Sequence, residues 1–376
     1  MIKPRKTVKN FAPYIAGRPI EEIKRIYKLK KVIKLASNEN PYPPPKSVQD
    51  AIKNYAGAVN RYPDSNGWQL KKAIAKNFGV KISNVFLGNG TDEIIEILAK
   101  AFLEKTDEII VSKHAFIRYK MAADLMDAKT KTIPMTPHQD TGGGFTHDLK
   151  KMALSATKKT KFIFIANPNN PTGTYNTNSE IKEMFEILKK KKLNPVVVFD
   201  EAYHDFVEAK DYSSAINYFK KGMKNICVLR TFSKIFALAG LRLGFAIGDE
   251  KIFEILERIR PPFNTTLLSQ KAGICAIREK NYIKIIKKRI LSEKKKLLKK
   301  LEISGFEVIP SQTNLLLVNV KNGRSVFKKL LERGVIVRAM DEYELPQYIR
   351  VTIGTPHENR IFLRELLHLK KMKNEE

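Results

Sequence analysis

Three short apolar runs constrain the fold of this chain more than any other feature. They occupy residues 162–166, 196–199 and 226–229, and none of them contains a polar side chain. Runs of this kind are typical of strands that are buried on both faces of a sheet. A helical pattern at residues 179–190 separates the first two runs, so we expect a crossover connection between parallel strands. The sequence therefore predicts an open α/β fold with a mostly parallel central sheet.

Polar residues follow each of these runs. Asn170 lies in a turn that two prolines make rigid, Asp200 directly follows the second run, and Lys234 follows the third. Ligands of open α/β sheets bind outside the carboxyl ends of the strands. A buried carboxylate such as Asp200 needs a cationic partner, although a helix cap or a salt bridge to another lysine would also satisfy it. We therefore expect a functional site at this edge of the sheet.

Lys234 is the candidate nucleophile of that site. It lies in residues 229–244, a segment that is otherwise mainly apolar or small. Because burial disfavours an ammonium ion, we expect the surroundings to favour the neutral amine, which Schiff-base chemistry with an aldehyde requires. The chain is rich in lysine, so the motif alone also permits a solvated lysine with no special role.

A second feature indicates a phosphate site. Gly88 and Gly90 stand between a short strand and a strongly periodic helix, where backbone N–H groups are free to bind an anion. Thr231, Ser233 and Arg242 flank the lysine and could contact the same anion. Taken alone, the glycines could form an ordinary turn. A nucleophilic lysine beside a phosphate site describes pyridoxal 5′-phosphate (PLP), which is the predicted cofactor.

The motif at residues 233–244 resembles the lysine segment of fold-type I PLP-dependent aminotransferases, in the variant found in histidinol-phosphate aminotransferases. The likeness extends from residues 11–17 to residues 349–359. It implies an α/β fold-type I transferase with a large domain around a mostly parallel sheet and a smaller α+β domain. We place the large PLP-binding domain at residues 46–265, and the N-terminal arm and small domain at residues 1–45 plus 266–376.

The resemblance also implies roles for individual residues. Lys234, Asp200 and Tyr203 would be catalytic, with Asp200 keeping the pyridine nitrogen protonated and Tyr203 bonding the phenolic oxygen together with Asn170. Phe116 would stack on the ring, although the family commonly has Pro-Thr or Pro-Ser where this chain has His114-Ala115. The full set of cofactor contacts implied by resemblance is Thr91, Asp92, Phe116, Asn170, Asp200, Tyr203, Thr231, Ser233, Lys234, Arg242 and Tyr62. Related enzymes supply the residue matching Tyr62 from a neighbouring subunit, which implies a homodimer.

Substrate recognition depends on a smaller set of residues. Arg338 and Arg350 can bind a phosphate or a carboxylate through bidentate hydrogen bonds, although each could instead form a surface ion pair. The resemblance assigns both arginines to the phosphate of histidinol phosphate and to the carboxylate of glutamate or 2-oxoglutarate. Tyr14 and Asn38 complete the predicted substrate contacts.

Other functions remain possible at this point. An aromatic amino acid aminotransferase would carry the same motifs, and so would a threonine-phosphate decarboxylase. The formal net charge of +30 also suggests an alternative from another class, a nucleic-acid-binding protein that has an inactive enzyme fold. Because the basic residues are dispersed over helices without an aromatic-interleaved stripe, we favour solvated helix faces and expect no nucleic-acid partner.

The composition favours a cytoplasmic protein. Cys227 and Cys275 cannot form a disulfide framework, which fits a reducing compartment. No apolar run approaches the roughly 18 residues of a membrane span, and the N-terminus lacks the apolar core of a secretion signal. We therefore expect no membrane partner.

Overall fold

The computed structural model describes residues 2–8, 11, 19–136 and 145–375. A short helix α1 (Ile20–Tyr27) leads to the two-residue strand β1 (Ile33–Lys34). No helix within these described ranges is both long enough and apolar enough to cross a lipid bilayer.

A seven-stranded sheet forms the centre of the molecule, in the order β2-β8-β7-β6-β5-β3-β4. Its strands are β2 (Val85–Asn89), β3 (Glu108–Ser112), β4 (Lys129–Ile133), β5 (Thr160–Ala166), β6 (Val196–Asp200), β7 (Ile226–Thr231) and β8 (Leu243–Gly248). The three apolar runs recognised in the sequence form β5, β6 and β7, which are parallel to one another. The predicted mostly parallel α/β sheet is thereby confirmed.

Strand β8 is the exception, because it runs antiparallel to both of its neighbours, β2 and β7. The chain passes from β7 to β8 through residues 232–242 without a crossover helix, and antiparallel neighbours need none. This connection is the segment that contains Lys234. Its path places the lysine beside the carboxyl end of β7.

Helices cover both faces of the central sheet. Alternate residues of one strand enter different cores: Ile163 and Ile165 pack in one cluster, whereas Phe162 and Phe164 pack in the other. This two-sided burial explains why the strands read as unbroken apolar runs. The helices up to this point in the chain are α2 (Lys46–Ala56), α3 (Trp68–Phe78), α4 (Gly90–Phe102), α5 (Arg118–Leu125), α6 (Leu149–Ser155), α7 (Asn178–Lys190), α8 (Ile216–Lys220) and α9 (Glu250–Glu257).

Helix α7 shows how local sequence sets a crossover. Thr177 and Glu180 form a reciprocal capping box, in which each side chain accepts a hydrogen bond from the other residue's backbone N–H. Ile181, Met184 and Leu188 then lie on the buried face. The crossover that returns the chain to β6 therefore begins at a defined residue.

The remaining chain forms a second, smaller sheet of antiparallel strands in the order β12-β13-β10-β9. Strand β1 pairs in parallel with β11, which lies far away in the chain (Ile33 opposite Val335), so the N-terminal segment joins this part of the molecule. Helix α10, which the sequence assigned to the small domain, packs on α2 and α3 of the large domain. The domain bounds given in the sequence analysis remain a prediction. The elements are α10 (Leu267–Ala276), α11 (Lys280–Ile303), β9 (Val308–Ile309), β10 (Leu315–Asn319), α12 (Gly323–Glu332), β11 (Val335–Ile336), β12 (Arg338–Ala339), β13 (Tyr348–Thr352) and α13 (Pro356–Glu375).

Candidate active site

A cavity of about 380 Å³ lies at the carboxyl edge of the central sheet and is closed on one side by β12 and β13. Residues from the segment after β1 and from the loops after β2, β5, β6 and β7 line it. The predicted site residues that line this cavity are Asn38, Thr91, Asp92, Phe116, Asn170, Asp200, Tyr203, Thr231, Ser233, Lys234, Arg242, Arg338 and Arg350.

Lys234 presents its amine to this cavity. Its Nζ donates a hydrogen bond to the carbonyl oxygen of Ser37 at 3.1 Å and lies 5.7 Å from the centre of the Tyr203 ring. Desolvation, followed by the positive charge of Arg350, lowers the pKa of Lys234 to about 8. A substantial fraction of this amine is therefore neutral near physiological pH, as nucleophilic attack and proton transfer require.

Asp200 ends β6 and points its carboxylate into the same cavity. One oxygen accepts a hydrogen bond from the Tyr119 hydroxyl at 2.8 Å, and the other accepts from the backbone N–H of Ala202 at 3.1 Å. Burial raises the pKa of Asp200 to about 6, although both hydrogen bonds oppose this shift. A cation placed beside the carboxylate would restore its ionised form.

The raised pKa of Asp200 predicts a pH-dependent stability in the cofactor-free protein. Below about pH 4 the carboxyl is protonated in both the folded and the unfolded states, so burial carries no charge penalty. As the pH rises through about 6 the folded state must bury a charge, and the free energy of unfolding falls. The Asp200→Asn variant carries no charge at this position at either pH. We therefore expect its free energy of unfolding, relative to that of wild type, to be about 1 to 3 kcal/mol higher at pH 8 than at pH 4. Urea unfolding of both proteins at the two pH values measures the difference, and a pH-independent difference would contradict the assignment.

Tyr119 was not predicted as a site residue. It is buried on α5, its ring stacks on Phe164 with centroids 4.8 Å apart, and it meets Phe116 edge to face at 5.7 Å. One side chain therefore positions both the carboxylate of Asp200 and the ring of Phe116. The sequence shows only an aromatic residue on a helix, and only the tertiary structure shows that its hydroxyl reaches β6.

The candidate phosphate site forms where α4 begins. Helix α4 starts at Gly90, directly after β2, so the first backbone N–H groups of the helix face the cavity beside Thr91 and Asp92. Gly244 of β8 packs against this turn: a Cβ atom added there would lie 2.6 Å from the Thr91 nitrogen. Only glycine fits at this position, and the helix start is therefore held close to the strand.

Hydroxyl and guanidinium groups surround that helix start. Arg242 places one guanidinium nitrogen 3.4 Å from the Ser233 hydroxyl and another 3.6 Å from the Asp92 carboxylate. The Thr231 hydroxyl accepts a hydrogen bond from the backbone N–H of Ser233 at 3.0 Å. This donor set suits an anion with several acceptor oxygens.

Two arginines enter the cavity from the smaller sheet, where Arg338 of β12 is paired in register with Arg350 of β13. Arg350 donates to the Asn170 side-chain oxygen and to the Ala36 carbonyl oxygen, both at 2.6 Å. Its Nε is buried and has no hydrogen-bond partner among the described residues. Arg338 donates to Glu342 at 2.6 Å. These arginines thus line the cavity, and Arg338 also forms an ion pair.

Asn38 connects three parts of the chain at the cavity wall. Its side-chain nitrogen donates to the Tyr203 hydroxyl at 2.7 Å, and its backbone N–H donates to the Thr352 hydroxyl at 2.9 Å. The residue itself has a positive φ of 55°, a conformation that asparagine tolerates better than most residues. This contact orients the Tyr203 hydroxyl beside Lys234.

Among the described residues, one predicted side chain is not in this cavity. Tyr62 is 80% exposed and stacks on Phe263 with ring centroids 4.4 Å apart, so it does not contribute to the site of its own chain. Tyr14 lies outside the described residues.

A buried ion pair lies directly beside Asp200, and the sequence did not predict it. Glu201, the residue after Asp200, lies 2.7 Å from the guanidinium of Arg230. Its carboxylate also accepts from the Ser214 hydroxyl at 2.7 Å and from the backbone N–H of Ala215 at 2.6 Å. In the sequence, Arg230 is one residue of a strand and Glu201 one residue of a turn. No local sequence pattern indicates that the two side chains meet.

Breaking this ion pair should destabilise the protein strongly. We expect Arg230→Met to lower the free energy of unfolding by roughly 3 to 5 kcal/mol, because Glu201 would remain buried without its cation. The matched control is Arg324→Met, whose partner Asp341 lies 3.6 Å away at the surface, and for which we expect a loss of less than about 1 kcal/mol. Urea unfolding measures both variants, and equal losses would contradict the difference in burial.

Comparisons with known proteins identify the family of this chain. The family model for class I and II aminotransferases matches residues 30–366. A protein named histidinol-phosphate aminotransferase 2 from Carboxydothermus hydrogenoformans is 40% identical, over 96% of this chain and 98% of its own length. The histidinol-phosphate aminotransferase of Moorella thermoacetica is 38% identical, over 97% of this chain and 92% of its own length.

Solved structures share the fold. The histidinol-phosphate aminotransferase of Sinorhizobium meliloti, determined in complex with pyridoxal 5′-phosphate, gives a TM-score of 0.85 at 21% identity and covers 98% of each chain. An aspartate aminotransferase from Thermotoga maritima gives 0.83 at 20% identity, also over 98% of each chain. The predicted fold-type I architecture is confirmed by these neighbours. The chain belongs to the class I and II aminotransferases and, within them, to the histidinol-phosphate aminotransferase family.

Proposed function

We propose that this protein is a transaminase that moves the amino group of L-histidinol phosphate to 2-oxoglutarate, yielding imidazole-acetol phosphate and L-glutamate in histidine biosynthesis. Enzymes of its family depend on PLP. One observation carries the proposal: a single cavity contains a partly neutral lysine, a buried carboxylate and two arginines from the opposite sheet. The relatives named histidinol-phosphate aminotransferase support the choice of substrate.

The residues of the cavity fit PLP. The close approach of Gly244 holds the start of α4 against β8, so that the free N–H groups of the helix are available to a phosphate group at the cavity. We assign the phosphate to the N–H groups at Thr91 and Asp92 and to the side chains of Thr231, Ser233 and Arg242. Asp200 would face the ring nitrogen, Asn170 and Tyr203 the phenolic oxygen, and Phe116 the ring. When bound, PLP supplies an aldehyde that accepts the amino group and a ring that withdraws electrons from the substrate carbon.

Lys234 and Asp200 would divide the proton chemistry. The Lys234 amine would hold the cofactor, and as a neutral amine its Nζ could take the proton from the substrate's amino-bearing carbon. The carbonyl oxygen of Ser37 and the ring of Tyr203 limit where Nζ can lie. Asp200, if ionised beside the cofactor, would keep a proton on the ring nitrogen, and the Tyr119 hydroxyl fixes its carboxylate.

Arg338 and Arg350 would bind the anionic groups of the substrates. Both side chains reach the cavity from the smaller sheet, opposite the residues assigned to the cofactor. A guanidinium donates two hydrogen bonds to a phosphate or to a carboxylate in the same bidentate geometry. The same pair of arginines can therefore bind histidinol phosphate in one half-reaction and glutamate in the other. Asn38 and Tyr14 are assigned to the substrate side as well.

The proposal includes a homodimer with shared active sites. Tyr62 and Phe263 form an exposed aromatic pair outside the cavity of their own chain, and the neighbouring Val59 and Trp68 are exposed too. Such a patch suits an interface, where Tyr62 would reach the cofactor phosphate of the partner. Sedimentation should therefore give about twice the chain mass of 43.0 kDa. A mass of one chain for the active enzyme would contradict this part of the proposal.

The proposed compartment is the cytoplasm. Cys227 and Cys275 are both free thiols, and Cys227 is fully buried in the central sheet. A reducing compartment keeps such thiols unpaired.

A direct comparison of amino donors tests the proposed substrate. Turnover of histidinol phosphate and of phenylalanine is measured with 2-oxoglutarate as acceptor. We expect histidinol phosphate to be preferred by kcat/KM, because only it offers a phosphate to the two arginines. A strong preference for phenylalanine would indicate an aromatic amino acid aminotransferase and would overturn the histidinol phosphate assignment.

A further inference from the structure

One contact joins the central sheet to the smaller sheet at the mouth of the cavity. The imidazole Nδ1 of His114, which follows β3, lies 2.6 Å from the backbone carbonyl oxygen of Tyr343, which follows β12. A carbonyl oxygen can only accept, so Nδ1 carries the proton and donates. His114 is buried, with its ring edge to face on Phe145 at 5.2 Å and its own carbonyl oxygen accepting from Asn169. The imidazole is therefore fixed on the side of the central sheet.

The segment that His114 contacts carries groups of the cavity. Residues Asp341–Tyr343 form a single 3₁₀ turn, whose shape is maintained by short-range backbone hydrogen bonds. Tyr343 lines the cavity, and Glu342 pairs with Arg338, which lines it too. The adjacent residues Lys113 and Glu344 form a second contact between the same two segments, a surface ion pair at 3.1 Å. The exposed pair is expected to contribute little, so of these two contacts the hydrogen bond of the buried imidazole should contribute more.

We infer that His114 is a positioning residue for substrate anions: its hydrogen bond to the Tyr343 carbonyl oxygen holds the 341–343 turn, and through Glu342 it sets the orientation of the Arg338 guanidinium. The inference rests on the proposed function for the identity of the substrate. His114 itself does not touch the substrate. Its effect reaches the cavity through the turn, so it should alter substrate affinity more than the chemical step.

Two substitutions separate the hydrogen bond from simple packing. In His114→Asn the side-chain amide nitrogen occupies the position of Nδ1 and can still donate, whereas His114→Leu fills a similar volume without a donor. Both variants lose the same ring contact with Phe145. Recovery in His114→Asn but not in His114→Leu therefore reports the donor, because leucine fills the pocket better than asparagine does. The same His→Leu change at His368, which is exposed on α13, serves as a distant control.

Hydrogen exchange of the cofactor-loaded protein tests whether His114 holds the turn. The N–H groups of Tyr343 and Leu345 donate to Met340, and that of Glu344 donates to Asp341, so all three report on the turn. We expect these amides to exchange about tenfold faster in His114→Leu than in wild type, and to return close to wild type in His114→Asn. Unchanged exchange in His114→Leu would overturn the inference, whatever substrate the enzyme uses.

Steady-state kinetics test the consequence at the site. We expect His114→Leu to raise KM for histidinol phosphate about tenfold while kcat changes by less than about threefold, and His114→Asn to recover most of the loss. Equal KM values for wild type and His114→Leu, or a fall in kcat that His114→Asn does not reverse, would overturn the positioning role. A wild-type enzyme that does not use histidinol phosphate refutes the proposed function instead, and the KM for 2-oxoglutarate then takes its place in the comparison.

Discussion

Replacing Lys234 with alanine is expected to reduce transamination by about 10⁴-fold or more, since in the proposed mechanism this one side chain would both hold the cofactor and move the proton. The loss should appear in kcat, because no other amine of the described residues lines the cavity. The proposed phosphate contacts at Thr91, Ser233 and Arg242 remain in this variant, so it should still bind PLP, more weakly and without a covalent bond. Single-turnover assays with histidinol phosphate measure the rate.

The matched control for this substitution is Lys294→Met. Lys294 is only 5% exposed, and burial lowers its pKa to about 8, as for Lys234. Its amine donates to the carbonyl oxygens of Ser311 and Thr313, away from the cavity. We expect the control to lose stability and to keep its turnover when folded. Retained transamination in Lys234→Ala would contradict the role of Lys234 as the base.

Asp200→Asn should give the second largest loss, about 10³-fold in kcat. The amide has the shape of the carboxylate but carries no charge, so it cannot keep a proton on the ring nitrogen of PLP. Electron withdrawal into the ring then fails at the step where charge develops on the substrate carbon. The expected spectroscopic signature is a cofactor absorption whose pH dependence differs from that of wild type.

Asp211→Asn is the control for this change. Asp211 also accepts a hydrogen bond from a tyrosine hydroxyl, that of Tyr175 at 2.8 Å, but it lies at the surface. We expect its turnover to equal that of wild type. If Asp200→Asn retained near-normal kcat, the ring nitrogen would need no anionic partner, and the proposed division of roles would be wrong.

Local sequence predicted the framework of the site because its physics is local. The apolar runs that became β5, β6 and β7 report burial on both faces of a sheet, and residues that follow parallel strands must emerge at one edge. The sequence alone therefore places Asp200 and Lys234 at the same edge of the sheet, and both line the cavity. Gly88 and Gly90 near the start of α4 likewise predicted a turn with close backbone contacts, because such a turn requires residues without a side chain.

Contacts between distant segments could not be predicted. Tyr119 reaches Asp200 across 81 residues, and Glu201 pairs with Arg230 from a neighbouring strand. Neither pair leaves a periodic or spaced pattern in the sequence. The antiparallel direction of β8 depends likewise on the absence of a crossover helix over residues 232–242, a stretch whose motif indicated chemistry rather than topology.

Tyr62 illustrates a different limit. The resemblance assigns it to the cofactor, yet in its own chain it lies on the surface against Phe263. The two statements agree only if a second chain is present, so its role remains a prediction. The His114–Tyr343 contact is the converse case, since it is evident in the structure and the sequence showed only a departure from the family pattern.

Reductive trapping tests the central claim most directly. The protein is loaded with PLP, reduced with borohydride, digested with trypsin and analysed by peptide mass spectrometry. Because a modified lysine resists trypsin, we predict a single peptide spanning residues 231–242 that carries the mass of the reduced cofactor at Lys234. Recovery of only the unmodified peptides 231–234 and 235–242, or of the cofactor mass on a different lysine, would contradict the assignment of Lys234 and the function built on it.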